Sequence, residues 1–139
     1  MVIIDAKNKI LGRLSAYAAK QALLGNNVEV INCEEAVVSG TKANILANYI
    51  RRIDRKAPNK GPYLYRRCDF FVRRTIRGML PFQQSRGQTA FRLVKCHVGV
   101  PEIFKDEKAV NLEHADAKKF KLVDYIKVKE ICRAIGGKI

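Results

Sequence analysis

Short apolar runs alternate with longer amphipathic segments in this chain, and this alternation constrains its fold more than any other feature. Residues 2–4 and 28–31 are rich in Val and Ile and predict strands, and residues 36–38 predict a short third extension. Residues 12–24 and 42–56 repeat their apolar side chains at helical spacing. Because parallel neighbours need crossover connections, which are usually helices, this order predicts a mostly parallel sheet.

The rest of the chain continues the pattern with shorter elements. Helices are predicted over 69–79, 84–92 and 127–135, and a strand is predicted over 93–100 before a proline. The predicted class is α/β, a three-layer α/β/α arrangement with a roughly four-stranded, mostly parallel sheet. The chain has 139 residues, 47% of them hydrophobic, so one core and a single domain over 1–139 are expected.

Excess positive charge is concentrated in the middle of the chain. The formal net charge is +14, and residues 51–100 hold 13 basic but only 2 acidic residues, including 10 of the 12 arginines. So large an excess of positive charge favours an extended polyanionic partner over a small acidic substrate. The planar fork of arginine pairs with phosphate through two hydrogen bonds and stacks on exposed bases. The composition therefore predicts a nucleic acid partner rather than a merely solvated basic face.

Residue patterns that support catalysis or cofactor binding are incomplete in this sequence. Only Gly12 occurs where a dinucleotide-binding fold requires three glycines. Residues 39–42 (SGTK) lack the upstream glycine of a phosphate-binding loop, so they predict either a contact with an RNA phosphate or an ordinary helix cap. Cys96 and His97 are adjacent on a strand and are expected to point to opposite faces. We predict no enzymatic activity, no cofactor, no metal site and no small-molecule substrate.

The cysteines and the hydropathy pattern indicate a reducing compartment. The four cysteines, at positions 33, 68, 96 and 132, form no C-x-x-C pair and are predicted to be reduced core residues. No apolar run reaches the ~18 residues that span a bilayer, and no basic segment followed by a long apolar stretch opens the chain. The sequence therefore predicts neither secretion nor a membrane partner.

Three segments, taken in order, resemble one known family. They are residues 8–14 (NKILGRL), residues 28–34 (VEVINCE) leading to Ser39-Gly40, and above all residues 73–81 (RRTIRGMLP). Together they resemble the universal large-subunit ribosomal protein L13 family, and the short length resembles its archaeal branch. The resemblance implies an α/β domain with a four-stranded parallel sheet, no catalysis, and a cytoplasmic location in the large ribosomal subunit. It also implies contacts with large-subunit ribosomal RNA and neighbouring large-subunit ribosomal proteins, and a role early in subunit assembly.

The candidate RNA-binding residues lie on and around the helix predicted over 69–79. Its apolar face anchors it, and Arg73, Arg74 and Arg77 are expected to point outward toward phosphates. The loop 57–67 interleaves tyrosines with cations, and those tyrosines are expected either to stack on bases or to pack into the core. Residues 79–81 are expected to fix the helix end against the domain, with direct contact to RNA as the alternative. The neighbouring basic patch is predicted to contain Arg51, Arg52, Arg55, Lys56, Lys60, Arg66, Arg67 and Arg86.

Two other classes of protein share some of these features. An RNA-modifying enzyme would use the edge of an α/β sheet as a nucleotide-binding site, but the glycine and acid pattern for one is absent. A free-standing DNA-binding protein is the second alternative, but no helix-turn-helix or basic-zipper pattern occurs. A ribosomal RNA binder should resist competition by duplex DNA and should lose affinity steeply with salt, by ~10³-fold or more between 50 and 200 mM for ~6 phosphate contacts.

Overall fold

The computed structural model describes residues 1–55, 57, 59–119 and 124–137, and this part of the chain contains five helices and five strands. The strands are β1 (Val2–Asp5), β2 (Val28–Ile31), β3 (Val37–Ser39), β4 (Val94–Cys96) and β5 (Tyr125–Lys127). The helices are α1 (Leu11–Leu23), α2 (Lys42–Asp54), α3 (Cys68–Gly78), α4 (Ser85–Arg92) and α5 (Val128–Ala134). Single 3-10 turns cover Cys33–Glu35, Glu102–Phe104 and Glu113–Ala115. Each predicted helix is present, with both ends within two residues of the prediction.

A parallel sheet with the order β1-β2-β4 forms the centre of the fold. β2 lies in the middle, pairing Val28 with Val2 on one side and with Val94 on the other. The α/β class is therefore confirmed. Instead of a full fourth strand, the described chain adds a single parallel bridge between Ile4 and Val110 at the free edge of β1.

The third predicted strand leaves the parallel sheet and pairs elsewhere. β3 pairs antiparallel with β5, with Val37 opposite Lys127 and Ser39 opposite Tyr125. The backbone of Asn32 adopts a left-handed conformation with φ of 55° just after β2, and the 3-10 turn Cys33–Glu35 follows. Because asparagine tolerates this conformation better than most residues, the chain turns there and β3 cannot continue beside β2.

The core lies between the parallel sheet and two helices. Val28 and Val30 of β2 are fully buried and belong to one cluster with Leu14 of α1 and with Val72 and Ile76 of α3. Burial of each such side chain contributes ~1.5–3 kcal/mol. α1 and α3 also contact each other, so the basic helix predicted from the sequence is anchored on a rigid base.

Helix α2 lies further from this core than its pattern predicted. Ile45, Leu46, Tyr49, Ile50 and Ile53 were expected to face inward, but none of the described residues of α2 is fully buried, and Ile50 is 43% exposed. Only Ile45, Leu46 and Tyr49 pack against the core cluster. The reason is tertiary: α2 packs on α5 and β5 rather than on the parallel sheet, so a narrow part of its apolar face is covered.

The cysteines are free thiols, as predicted, and three of the four are buried. The fold brings them together in pairs that the spacing did not reveal. Hydrogen bonding to Cys96 and then burial raise the pKa of the Cys33 thiol, and hydrogen bonding to Cys68 together with burial raises that of Cys132. The Cys33 Sγ also donates to the Val30 carbonyl at 3.5 Å.

Cys96 and His97 diverge from each other, as expected for adjacent strand residues. Nε2 of His97 lies 2.7 Å from a carboxylate oxygen of Glu29, while Cys96 shares the environment of Cys33. A thiol and an imidazole that point apart cannot act as a nucleophile and its base.

Candidate nucleic-acid interface

Helix α3 supports the candidate interface and is fixed at both ends. Asp69 lies in its first turn, where a negative charge is favourable, and accepts a hydrogen bond from the Phe70 backbone N–H at 2.9 Å. Asp69 also pairs with Arg67 at 2.6 Å. After the helix ends, Leu80 is buried while Met79 is exposed. The expectation that residues 79–81 fix the helix end therefore holds for Leu80 but not for Met79.

Arginines on and beside α3 lie over aromatic rings. In each case the distance from the guanidinium carbon to the ring centroid is short enough for a cation–π interaction. The pairs are Arg73 over Phe91 at 4.5 Å, Arg77 over Phe82 at 4.8 Å, Arg67 over Phe70 at 4.9 Å and Arg74 over Tyr65 at 5.7 Å. We call these eight residues the arginine–aromatic cluster.

Arg73 differs from its neighbours in being only partly exposed. Its guanidinium lies against the face of Phe91, and its Nε is buried without a hydrogen-bond partner in the described part of the chain. Arg74 and Arg77 are exposed, as predicted. Arg74 additionally donates from Nη1 to the Tyr63 carbonyl at 2.9 Å, which ties the preceding loop to α3.

Two neighbouring cavities open beside these arginines. The smaller, of about 100 Å³, is bounded by three arginines and three aromatic rings: Tyr65, Phe70, Arg73, Arg74, Arg77 and Phe91. The larger, of about 210 Å³, lies between α2 and α3 and includes Tyr49, Arg52, Tyr65 and Arg74 in its lining. Tyr65 and Arg74 belong to both, so the two cavities form one continuous surface.

The tyrosines of the loop 57–67 are on the surface. Tyr63 is 68% exposed, Tyr65 is 45% exposed, and the Tyr65 ring stacks on Phe70 with centroids 5.6 Å apart and planes inclined by 28°. The alternative that these tyrosines pack into the core is therefore wrong.

Of the three predicted arginines on and beside α2, one borders a cavity and two do not. Arg52 lies over the ring of Tyr49 at 5.5 Å and borders the larger cavity. Arg51 donates to the Asn48 side-chain oxygen at 2.9 Å, and Arg55 is exposed at the end of the helix. Neither of these two arginines belongs to the lining of the two cavities.

The remaining predicted residues lie around the cluster's edge or outside it. Arg66 is exposed and its guanidinium lies near Gly136, which follows α5. Lys60 and Arg86 are exposed, in the loop and on α4 respectively. Lys56 lies outside the described residues.

Phe82 and Phe91 are the members of the cluster that sequence reasoning missed. They meet edge to face at 5.6 Å and provide the rings under Arg77 and Arg73. The sequence carried a signal for them. Aromatic residues stand among arginines in the segments just after α3, as Phe70 does within the helix.

Two groups of the segment 39–42 that could meet an RNA phosphate are engaged within the protein, so that contact stays a prediction. Thr41 precedes α2 without a side-chain capping bond, and Lys42 pairs with Glu130 at 2.8 Å. The Gly40 backbone N–H donates to the Asp124 carbonyl at 3.0 Å. Both the lysine and this amide are thus engaged within the protein, and the side-chain cap is absent as well.

Comparison with known proteins agrees with the motifs. A family model described as Ribosomal protein L13 matches residues 1–102, a region that includes α3 and the segment 73–81. The chain belongs to the ribosomal protein L13 family. This confirms the resemblance found in the three sequence segments.

Relatives of this L13 chain extend the match beyond residue 102. The large ribosomal subunit protein uL13 of Methanosarcina barkeri is 39% identical over 139 residues, 99% of each chain. That of Methanococcus maripaludis is 40% identical over 142 residues, again 99% of each. That of Archaeoglobus fulgidus is 38% identical over 135 residues, 96% of this chain and 86% of the relative. The relatives are archaeal, as the resemblance implied, and are named as ribosomal proteins rather than enzymes.

The described residues of this L13 chain lack the features of two other protein classes. Among them no helix is long and apolar enough to cross a bilayer. Nor does any group of three or more His, Cys, Asp or Glu side chains in this part have the arrangement of a metal site.

Proposed function

We propose that this protein is a structural component of the large ribosomal subunit that binds large-subunit ribosomal RNA through its arginine and lysine surface. In this proposal the described chain acts as one RNA-binding domain, in the cytoplasm, with neighbouring large-subunit proteins as its other partners. The observation that carries the proposal is the arginine–aromatic cluster, in which four guanidinium groups lie over rings beside a buried helix face.

The cluster suits RNA because its cations are held in place before binding. Val72 and Ile76 bury the opposite face of α3, so the arginine stems project from a rigid element. A guanidinium held over a ring can still offer hydrogen-bond donors to a phosphate. Arg67 uses two of its donors on Asp69, and Arg74 uses one on the Tyr63 carbonyl. Pre-ordered donors lose less conformational entropy when they meet a phosphate. The cluster is thus matched to bidentate phosphate contacts.

The same electrostatics supports a role in the assembly of the large subunit. RNA helices that approach one another repel through their phosphates, and arginines placed between them reduce that repulsion. Shape and exposed nucleotides then supply selectivity, because proteins cannot easily read base edges inside an A-form helix. The proposed role is to stabilise a tertiary junction of the RNA as the subunit forms.

The salt dependence of binding tests the proposal. The triple variant Arg73→Gln, Arg74→Gln, Arg77→Gln should bind transcribed M. barkeri large-subunit ribosomal RNA more weakly. The slope of log K against log salt concentration should fall in magnitude by ~2–3, about one per lost phosphate contact. The matched control removes three exposed cations from a charge-balanced region, through Lys105→Gln, Lys108→Gln and Lys118→Gln. The control should retain the wild-type slope.

Two outcomes would contradict the proposal. One is an equal loss of slope in both triple variants, which would indicate bulk charge rather than a site. The other is displacement of the RNA by excess duplex DNA, which would favour a DNA-binding protein. Sucrose-gradient fractionation after a high-salt wash provides the cellular test, since a ribosomal component should stay with the large subunit.

A further inference from the structure

The smaller cavity has a lining that phosphate binding alone does not require. Three of its six bounding side chains are aromatic, and two of them, Tyr65 and Phe70, are stacked on each other at the surface. Phe70 remains 38% exposed although it lies on a well-packed helix. Exposed rings are unfavourable in water, so rings grouped around one cavity indicate a partner with a flat, apolar face.

The charged side chains of the lining contribute only hydrogen-bond donors. Arg73, Arg74 and Arg77 carry only donors, and the Nε of Arg73 is buried without an acceptor in the described part of the chain. Buried donors are normally paired, so an unpaired one beside a cavity indicates an acceptor supplied from outside. Asp69, the carboxylate nearest in sequence, is engaged with Arg67.

We propose that this cavity receives one unstacked nucleotide of the bound RNA. Its base stacks on the surface formed by Tyr65 and Phe70 in place of the guanidinium groups of Arg74 and Arg67, which lie over these rings in the free protein. Its acceptor atoms face Arg73, and its phosphate lies at the exposed Arg74 and Arg77. A nucleobase combines a flat π face with ring and carbonyl acceptors, and single-stranded RNA is commonly recognised by such stacking. The inference rests on the proposed function and adds to it a specific contact with a nucleotide outside a helix.

Stacking and phosphate contacts differ in salt dependence, and this difference provides the test. The variants Tyr65→Leu and Phe70→Leu remove a π face but keep an apolar side chain at a surface position. Each should weaken binding to M. barkeri large-subunit ribosomal RNA about tenfold, as expected for one lost stacking contact. The slope of log K against log salt should stay at the wild-type value, because no phosphate contact is removed. Tyr125→Leu is the matched control, since Tyr125 is similarly exposed on β5 and should bind as wild type does.

Ultraviolet cross-linking locates the contact directly. Trypsin separates the two rings, because cleavage after Lys60, Arg66, Arg67 and Arg73 leaves Tyr65 in the peptide 61–66 and Phe70 in the peptide 68–73. One or both peptides should carry a single cross-linked nucleotide. If the bound nucleotide belongs to a folded RNA, millimolar nucleoside monophosphates should not abolish the cross-link. If they do abolish it, the cavity is a site for free nucleotides and the inference is overturned.

The results separate this inference from the proposed function. If wild type binds with a steep salt slope while both leucine variants bind equally well, the inference is overturned and the proposed function stands. A fall in slope in the leucine variants also overturns it, because the rings would then serve only to hold arginines. If wild type shows no salt-dependent binding, both proposals fail.

Discussion

Glu35 bridges two lysines of other elements, and its replacement by glutamine isolates the contribution of that bridge. Its carboxylate accepts hydrogen bonds from Lys127 at the end of β5 and from Lys129 in α5, the latter at 2.6 Å. The bonds from Lys127 and then Lys129 lower the pKa of the Glu35 carboxyl from 4.5 to about 2. Because the turn Cys33–Glu35 also contacts α3, the bridge helps to hold the helix that carries the arginine–aromatic cluster.

The lowered pKa of Glu35 determines how much the bridge stabilises the fold and over which pH range. A carboxyl whose pKa is lower in the folded state stabilises the fold above its unfolded pKa, and loses that contribution as pH falls through the folded value. The shift from 4.5 to about 2 corresponds to ~3 kcal/mol at ~1.4 kcal/mol per unit. The side chain is 22% exposed, and solvent screening reduces this to ~2 kcal/mol. The contribution should be complete above ~pH 5 and should disappear between pH 4.5 and about 2.

Urea unfolding at a series of pH values measures this contribution. Glu35→Gln should lower the free energy of unfolding by ~2 kcal/mol at pH 7, and the difference from wild type should shrink steadily below pH 4.5. Glu130→Gln is the control, because Glu130 forms an exposed pair with Lys42 and should cost under ~1 kcal/mol. A difference between wild type and Glu35→Gln that does not change with pH would refute the reasoning, since it would not arise from ionisation of Glu35.

Three further predictions concern packing and thiol reactivity. Gly87→Ala should destabilise the protein by ~2 kcal/mol or more in thermal unfolding, because the new Cβ would lie 2.1 Å from the Pro81 carbonyl oxygen. Gly12→Ala, where nothing lies within 4 Å, should be neutral or stabilising, and equal losses in both variants would contradict this. Ile76→Ala should cost ~2–5 kcal/mol in urea unfolding, and a cost below ~1 kcal/mol would show that α3 is not anchored in the core. Iodoacetamide should leave the buried Cys33 unmodified until urea unfolds the chain, because its thiol pKa is raised; rapid native-state alkylation would refute this.

The sequence by itself determined the positions of the helices and the basic face of α3. The apolar spacing over 12–24 and 69–79 predicted helices that the structure places at Leu11–Leu23 and Cys68–Gly78. These features are local, because side chains three and four residues apart share a helix face whatever surrounds them. The same reasoning found the exposed Arg74 and Arg77, and the sequence motifs alone led to the family.

Strand pairing and the depth of burial depended on contacts far apart in the chain. Residues 36–38 read correctly as extended, but only the turn at Asn32 and the presence of β5 decided that β3 pairs outside the parallel sheet. Ile50 is apolar and on the predicted inner face of α2, yet it is 43% exposed because the described elements beside α2 leave it partly uncovered. The spacing of apolar residues predicts which face of a helix or strand can be buried, but not which element covers that face.

Only the tertiary structure assembled the arginine–aromatic cluster. Phe82 and Phe91 approach Arg77 and Arg73 because the chain turns back after α3 and α4 packs on α1 and β4, with Gly87 allowing the close contact at Pro81. The cysteine pairs arise in the same way. Sequence patterns report the neighbours of a residue along the chain, whereas a cation over a ring or a thiol beside a thiol requires segments brought together by folding. The charge of this surface was therefore readable from the sequence, but its geometry was not.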